Sequence, residues 1–159
     1  MIILGIDPGI AMVGYGIIRV FPAKKSFKEK IKFIDCGVIE TDKKTETGKR
    51  LLILEKEIIK LLKQHKPEKV ILEKLFFFKN QKTAIEVSQA IGVIKLAIAR
   101  KKIPIIEFTP LQVKMMITGY CQAQKQQVQE MVVKILNLKK PPKLDDAADA
   151  LALAISFVD

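Results

Sequence analysis

The chain has few of the side chains that metal centres and disulfide frameworks most often use. Its 159 residues include one histidine, His65, and two cysteines, Cys36 and Cys121. Zinc prefers histidine and cysteine ligands, so the sequence disfavours a zinc centre. The two cysteines lie far apart and form no C-x-x-C motif, which predicts buried structural thiols and not a secreted disulfide scaffold. His65 comes just before Lys66-Pro67 at a predicted helix end, and we expect it on the surface.

Long apolar runs and phosphate-binding glycine loops are also missing. No run approaches the roughly 20 apolar residues of a membrane span, and the first apolar run is too short for a signal peptide. We therefore expect a cytoplasmic protein. The chain contains no Walker loop and no G-x-G-x-x-G motif. Gly14 and Gly16 alone are too weak a signal for nucleotide binding.

Cations, in contrast, are abundant. Lysine and arginine number 28 against 17 aspartates and glutamates, giving a net charge of +11. This excess favours a polyanionic partner, with nucleic acid first, although a generally lysine-rich surface would give the same balance. No basic block of five residues exists, so no basic tail is expected. With 49% hydrophobic residues, the sequence predicts a single globular domain over residues 1–159.

The apolar pattern predicts ten elements in the order β-β-β-α-β-α-β-α-α-α. Strands are expected at residues 2–6, 14–20, 31–39, 70–72 and 103–108. Helices are expected at residues 45–64, 80–101, 110–118, 123–138 and 145–158. Three strands in series predict an antiparallel meander, and the later alternation predicts an α/β fold: a five-stranded mixed sheet with helices on both faces.

Two acids stand where apolar strands end. Asp7 closes the run MIILGIDPG, and Glu73 closes VILEK. Ile3, Gly5 and Asp7 share one face of a strand, and Gly5 leaves room beside that face. If the first and fourth strands are parallel neighbours, both acids point into one cleft at the carboxyl edge of the sheet, where ligands gather. The plainer readings are an Asp-Pro-Gly turn and a solvated strand end.

Two further acids lie in a final helix that is apolar nearly all round, as buried helices are. Asp146 and Asp149 are i and i+3 on one face, where like charges repel unless a cation lies between them. The helix dipole favours acids at the amino end but explains Asp149 less well. Spacing alone does not choose this pair over Asp145 and Asp149.

Together the acids of these three distant segments predict a site for two divalent cations. Hard oxygen ligands suit Mg²⁺, with Mn²⁺ as a substitute. Two such ions support in-line hydrolysis of a phosphodiester bond. On a strongly basic chain, the sequence therefore predicts a nuclease.

Three motifs strengthen that prediction: GIDPG with GYG near the start, LEKLFFFKN in the middle, and DDAADALALA near the end. Over nearly the whole chain they resemble the RuvC family of Holliday-junction resolvases, the crossover junction endodeoxyribonucleases. The resemblance implies a ribonuclease H-like fold, a homodimer, and Mg²⁺-dependent paired nicks in four-way junction DNA during recombination and repair. It also implies the RuvA–RuvB branch-migration complex as a partner.

The resemblance also implies which residues form the site. The family's acids fall on Asp7, Glu73, Asp146 and Asp149, its two lysines fall on Lys114 and Lys125, and its base-contacting aromatic falls on Phe76. The run Phe76-Phe77-Phe78 between Glu73 and Lys79 fits a loop that binds DNA, with Lys79 included, although core burial would also explain the run. One departure from the family pattern is apolar: residues 10–13 replace small polar or basic ones. Two other functions are kept as alternatives: a ribonuclease H-like nuclease acting on RNA or duplex DNA, and a junction-binding module without catalysis.

Overall fold

The apolar segments form five strands and five helices in the predicted order. The structure is a computed structural model that describes residues 1–21, 31–74 and 81–158. The strands are β1 (Ile2–Asp7), β2 (Met12–Val20), β3 (Ile31–Glu40), β4 (Lys69–Glu73) and β5 (Ile105–Phe108). The helices are α1 (Thr47–His65), α2 (Gln81–Ala99), α3 (Pro110–Thr118), α4 (Lys125–Leu136) and α5 (Asp145–Ser156).

The strands form one mixed sheet in the order β3-β2-β1-β4-β5. The predicted meander is present, because β1 pairs antiparallel with β2, and β2 with β3. The predicted parallel neighbours are present too: β1 pairs with β4, and β4 with β5. The carboxyl ends of β1 and β4 therefore meet at one edge of the sheet.

Helices cover both faces, as predicted, and each face has its own core. Alternation along β1 sends Leu4 and Ile6 to one face and Ile3 to the other. The first core packs α1 and α2 against the sheet, and the second packs α3, α4 and α5. Every residue of α5 from Ala147 to Ser156 is buried except Asp149, which confirms the prediction of an enclosed helix.

Two local expectations have clear outcomes. His65 does not lie on the surface as predicted: its side chain is 11% exposed, with Nε2 at 3.4 Å from Asp35 Oδ2. Helix α1 ends at His65, and the imidazole lies against Asp35 of β3 instead of in solvent. The apolar departure after Asp7 is explained by packing, because Ile10 and Val13 are buried in the first core.

Cys36 and Cys121 are both free and half-buried, so neither thiol is sequestered as fully as predicted. Across the described ranges, no helix combines the length and the apolar character that crossing a membrane requires.

Candidate active site

The two strand-end acids lie side by side. Ile6 of β1 pairs with Leu72 of β4, so the next residue on each strand is an acid, Asp7 or Glu73. Their side chains share a hydrogen bond. We expected the two acids to share a cleft only if β1 and β4 were parallel neighbours, and they are. The pairing brings together two carboxyl groups that are 66 residues apart in sequence.

Helix α5 reaches these acids because glycines on the sheet let it approach. Gly5 is the cross-strand partner of Gly16, and Asp7 is the partner of Gly14. A Cβ atom on Gly14 would lie 2.0 Å from the carbonyl oxygen of Asp146. A Cβ atom on Gly5 would likewise lie 2.0 Å from the carbonyl oxygen of Ala150. No side chain fits between this helix and the strands, so the glycines set the height at which α5 lies.

The adjacent acids of α5 have different surroundings. Asp145 is exposed, accepts a hydrogen bond from Gln129 Nε2 at 3.0 Å, and has a lowered pKa through its contacts with Gln129 and Lys125. Asp146 is half-buried, and its charge acts on Asp7. Asp149 is also half-buried and acts on both Asp7 and Glu73. The geometry therefore groups Asp146 and Asp149 with the strand acids and leaves Asp145 at the rim.

The electrostatics of the cluster are those of crowded carboxylates. Burial, followed by the charges of Glu73, Asp149 and Asp146, raises the pKa of Asp7 to about 8. Burial also raises the pKa of Glu73 and of Asp149. Three neighbouring acids thus resist ionisation together, as crowded and partly buried carboxyl groups do.

Two lysines border this cluster. Lys125, at the amino end of α4, places Nζ 2.9 Å from Asp149 Oδ2 and 3.3 Å from Asp145 Oδ2. Burial opposes its charge, but the contacts with these aspartates outweigh burial and raise its pKa. Lys114 of α3 lines a cleft of about 250 Å³ together with Glu73, Lys125 and Asp149. Two acids and two lysines therefore line the same cleft.

The structure brings together six of the predicted site residues: Asp7, Glu73, Lys114, Lys125, Asp146 and Asp149. The other two, Phe76 and Lys79, lie outside the described residues.

Two contributors were missed from the sequence. Gly14 was considered only as a weak signal for nucleotide binding. Gly14 and Gly16 lie on the same face of β2, with Gly5 opposite Gly16, and the absence of side chains there lets a helix pack closely. Gln129, which holds Asp145, gave no signal in the sequence.

The chain is similar to known proteins over nearly its whole length. Residues 3–157 match the family model described as crossover junction endodeoxyribonuclease RuvC. The chain is 50% identical to the Fusobacterium nucleatum protein of that name over 159 residues, covering all of this chain and 80% of the relative. It is 51% identical to the Thermosipho melanesiensis protein over 154 residues, covering 97% of this chain and 94% of the relative.

Solved structures show the same fold. Thermus thermophilus RuvC superposes with a TM-score of 0.89 at 31% identity, covering 98% of this chain and 92% of that one. The same protein has been solved in complex with a Holliday junction substrate, with the same TM-score and coverage. Yeast mitochondrial Holliday junction resolvase Ydc2, at 16% identity and a TM-score of 0.62, covering 98% of this chain and 78% of that one, shares the fold. By sequence over its full length and by fold, the chain belongs to the RuvC family of crossover junction endodeoxyribonucleases.

Proposed function

We propose that this protein resolves four-way DNA junctions by hydrolysing phosphodiester bonds at the cluster of Asp7, Glu73, Asp146 and Asp149. The observation that carries the proposal is the meeting of Asp7 and Glu73 at one edge of the sheet, against the acids of α5. The raised pKa of Asp7 agrees with it, because crowded carboxyl groups need a cation to stay ionised. Family membership supports the substrate, since relatives carry the name crossover junction endodeoxyribonuclease and one is solved with a Holliday junction.

The cation that fits these ligands is Mg²⁺, with Mn²⁺ as a substitute. The cluster offers only carboxylate oxygens, which hard divalent ions prefer. Within residues 1–21, 31–74 and 81–158, no three acidic, histidine or cysteine side chains converge closely enough to enclose an ion as they stand. Lys125 lies against Asp149 instead. We infer that ion binding draws Asp149 away from Lys125.

Two ions held by the four acids would supply an activated water and charge stabilisation for the leaving oxygen. The chain's own side chains do the rest. Released from Asp149, the Lys125 ammonium is free to hold the phosphate, and Lys114 stands across the same cleft. Ammonium groups aimed at a reacting phosphate stabilise the charge that develops on it. The predicted role of Phe76 and Lys79 in holding junction DNA also remains part of the proposal.

The direct test compares a synthetic four-way junction with a linear duplex of the same arm sequence, each incubated with Mg²⁺. We expect symmetric nicks in two strands of the junction and no cutting of the duplex. Equal cutting of both substrates would favour the alternative of a less selective ribonuclease H-like nuclease. Tight junction binding without any product would favour the binding module.

Paired nicks need two active sites, and we propose a homodimer built on α2. Ile85 and Leu96 are 67% and 49% exposed on the outer face of this helix. Gly92 lies between them, and no described atom comes within 4 Å of the position that its Cβ would take. These residues are i, i+7 and i+11, so they form one stripe. A smooth apolar stripe suits close helix packing about a two-fold axis.

Sedimentation velocity tests the dimer with a matched pair of variants. Leu96→Glu should give monomers that bind junctions weakly and nick one strand at a time. Leu52→Glu changes a leucine that is 56% exposed on α1, and it should leave the dimer intact. A Leu96→Glu protein that remains dimeric at the same concentration would place the interface elsewhere.

We propose the bacterial cytoplasm as the location, because chromosomal junctions are found there. The RuvA–RuvB complex stays a predicted partner, and residues 1–159 stay a predicted single nuclease domain.

A further inference from the structure

A buried arginine near the amino end of α1 has no acidic partner among the described residues. Arg50 is 5% exposed. In the described part of the chain its guanidinium enters no ion pair. Its Nη2 atom is buried without a hydrogen-bond acceptor. This cation therefore does not stabilise the fold in the way that buried charges usually do.

The placement of Arg50 is unfavourable in two respects. A charge taken out of water is costly unless it is paired. Cations are also disfavoured near the amino end of a helix, where the backbone N–H groups already carry partial positive charge. An apolar side chain of similar size would fill the space without these penalties. Because stability does not explain Arg50, its hydrogen bond to Thr41 suggests a role in function.

That contact leads through a threonine to the turn between β1 and β2. Arg50 Nε donates a hydrogen bond to Thr41 Oγ1 at 3.0 Å. Thr41 Oγ1 donates in turn to the carbonyl of Ile10, and the Thr41 backbone N–H donates to the carbonyl of Ala11 at 3.0 Å. A guanidinium can only donate, so the hydroxyl must accept from it and must point its hydrogen at Ile10. Thr41 is 7% exposed, which keeps water from competing.

The turn held in this way directly follows Asp7. It comprises residues 8–11, between the end of β1 and the start of β2. The turn is tight, because a Cβ atom on Gly9 would lie 2.2 Å from the carbonyl oxygen of Met12. Asp7 pairs with Gly14 on the far side of the turn. Two consecutive carbonyls of this short connection are therefore fixed by one residue, Thr41.

We propose that Arg50 is a positioning residue that acts through Thr41: it locks the β1–β2 turn and so holds Asp7 beside Glu73 in the geometry that the cations require. This inference rests on the proposed function, since it takes Asp7 as a metal ligand. Arg50 touches neither the cations nor the DNA. Its part is to orient one hydroxyl group, which anchors the turn.

Variants of Thr41 and of Arg50 test whether the Arg50–Thr41 contact anchors the turn, and the Thr41 variants come first. Thr41→Val removes the hydroxyl at nearly constant volume, and Thr41→Ser keeps it. In Thr41→Val, amide hydrogen exchange should become faster in residues 9–12, while exchange in the core strands is unchanged. Mn²⁺ binding, followed by electron paramagnetic resonance, and junction cutting should each weaken by about tenfold or more, since a misplacement of about 1 Å can lower a rate by 10²-fold. Thr41→Ser should match the parent in all three measurements.

The variant Arg50→Met separates a positioning role of Arg50 from a purely structural one. Because the buried cation is removed, its thermal midpoint should equal or exceed that of the parent, while Mn²⁺ binding and cutting fall as in Thr41→Val. Loss of stability with parental Mn²⁺ affinity would overturn the inference, as would parental exchange in residues 9–12 of Thr41→Val. If the parent protein itself cuts no junctions, the proposed function fails. The exchange data then still decide whether the anchor exists.

Discussion

Replacing Asp7 by asparagine should stabilise the metal-free protein and abolish cutting. Burial and neighbouring acids raise the pKa of Asp7 from 3.8 to about 8. An acid whose pKa is raised by folding contributes stability that is fully present below pH 3.8 and is lost as the pH rises through about 8. At pH 7 the folded protein must hold a proton that the unfolded chain releases. At about 1.4 kcal/mol per pH unit above 3.8, this costs up to about 4 kcal/mol.

Asparagine avoids this cost because its amide takes up no proton and can still donate to Glu73, as the protonated carboxyl does. We therefore expect Asp7→Asn to raise the free energy of unfolding by up to about 4 kcal/mol at pH 7. The gain should shrink towards zero near pH 4. At every pH the variant should bind Mn²⁺ more weakly than the parent.

Denaturant unfolding in a chelator, measured between about pH 5 and pH 8, is the assay. Asp145→Asn is the matched control, because Asp145 is exposed and its pKa is lowered, not raised. It should show no gain in stability. A variant Asp7→Asn that is less stable than the parent at pH 7, or whose gain does not grow with pH, would refute the view that the strand and helix acids repel one another.

Two further substitutions follow from the packing and charge of the site. Gly14→Ala should destabilise the fold by about 3 kcal/mol and slow cutting, because the added Cβ atom meets the Asp146 carbonyl. Gly48→Ala adds a Cβ that would meet no atom closer than 3.8 Å, and in unfolding and nicking assays it should leave cutting unchanged without lowering stability, since helices favour alanine over glycine. Lys125→Gln should slow junction cutting by about 10²-fold without weakening Mn²⁺ binding, because the ammonium is proposed to hold the phosphate. Weaker Mn²⁺ binding in Lys125→Gln would contradict this division of roles.

Much of this fold could be predicted from the sequence because its periodicities are strong. The order of all ten elements was predicted correctly, and α3 was bounded correctly at Pro110–Thr118. The other helices begin or end within about two residues of the prediction, since caps and not periodicity decide their ends. The sequence pattern did not predict which face of the sheet each helix covers, because both faces of the sheet are apolar.

The acids of the candidate site could be predicted from the sequence, but the residues that hold them in place could not. Asp7 and Glu73 stand out because each ends an apolar strand, and Asp149 because it interrupts a buried helix. Spacing left the choice between Asp145 and Asp146 open, and only the family resemblance favoured Asp146. The contacts of Asp145 with Gln129 and Lys125 on α4 agree with that choice. The Arg50–Thr41 anchor was invisible for the same reason.

Other features depend on contacts between distant segments. The imidazole of His65 is buried because it meets Asp35, 30 residues away in sequence. The role of Gly14 depends on α5, whose backbone packs where a Cβ atom of residue 14 would lie.

The most direct test of the central claim is the rate at which two neighbouring variants cut a four-way junction in Mg²⁺. Asp146→Asn and Asp145→Asn make the same chemical change one position apart on α5. We predict that Asp146→Asn cuts at least about 10³-fold more slowly than the parent, as loss of a group that stabilises the reacting charge would cause. Asp145→Asn should cut at nearly the parental rate. If Asp145→Asn is the inactive variant and Asp146→Asn still cuts, the four-acid site described above is wrong.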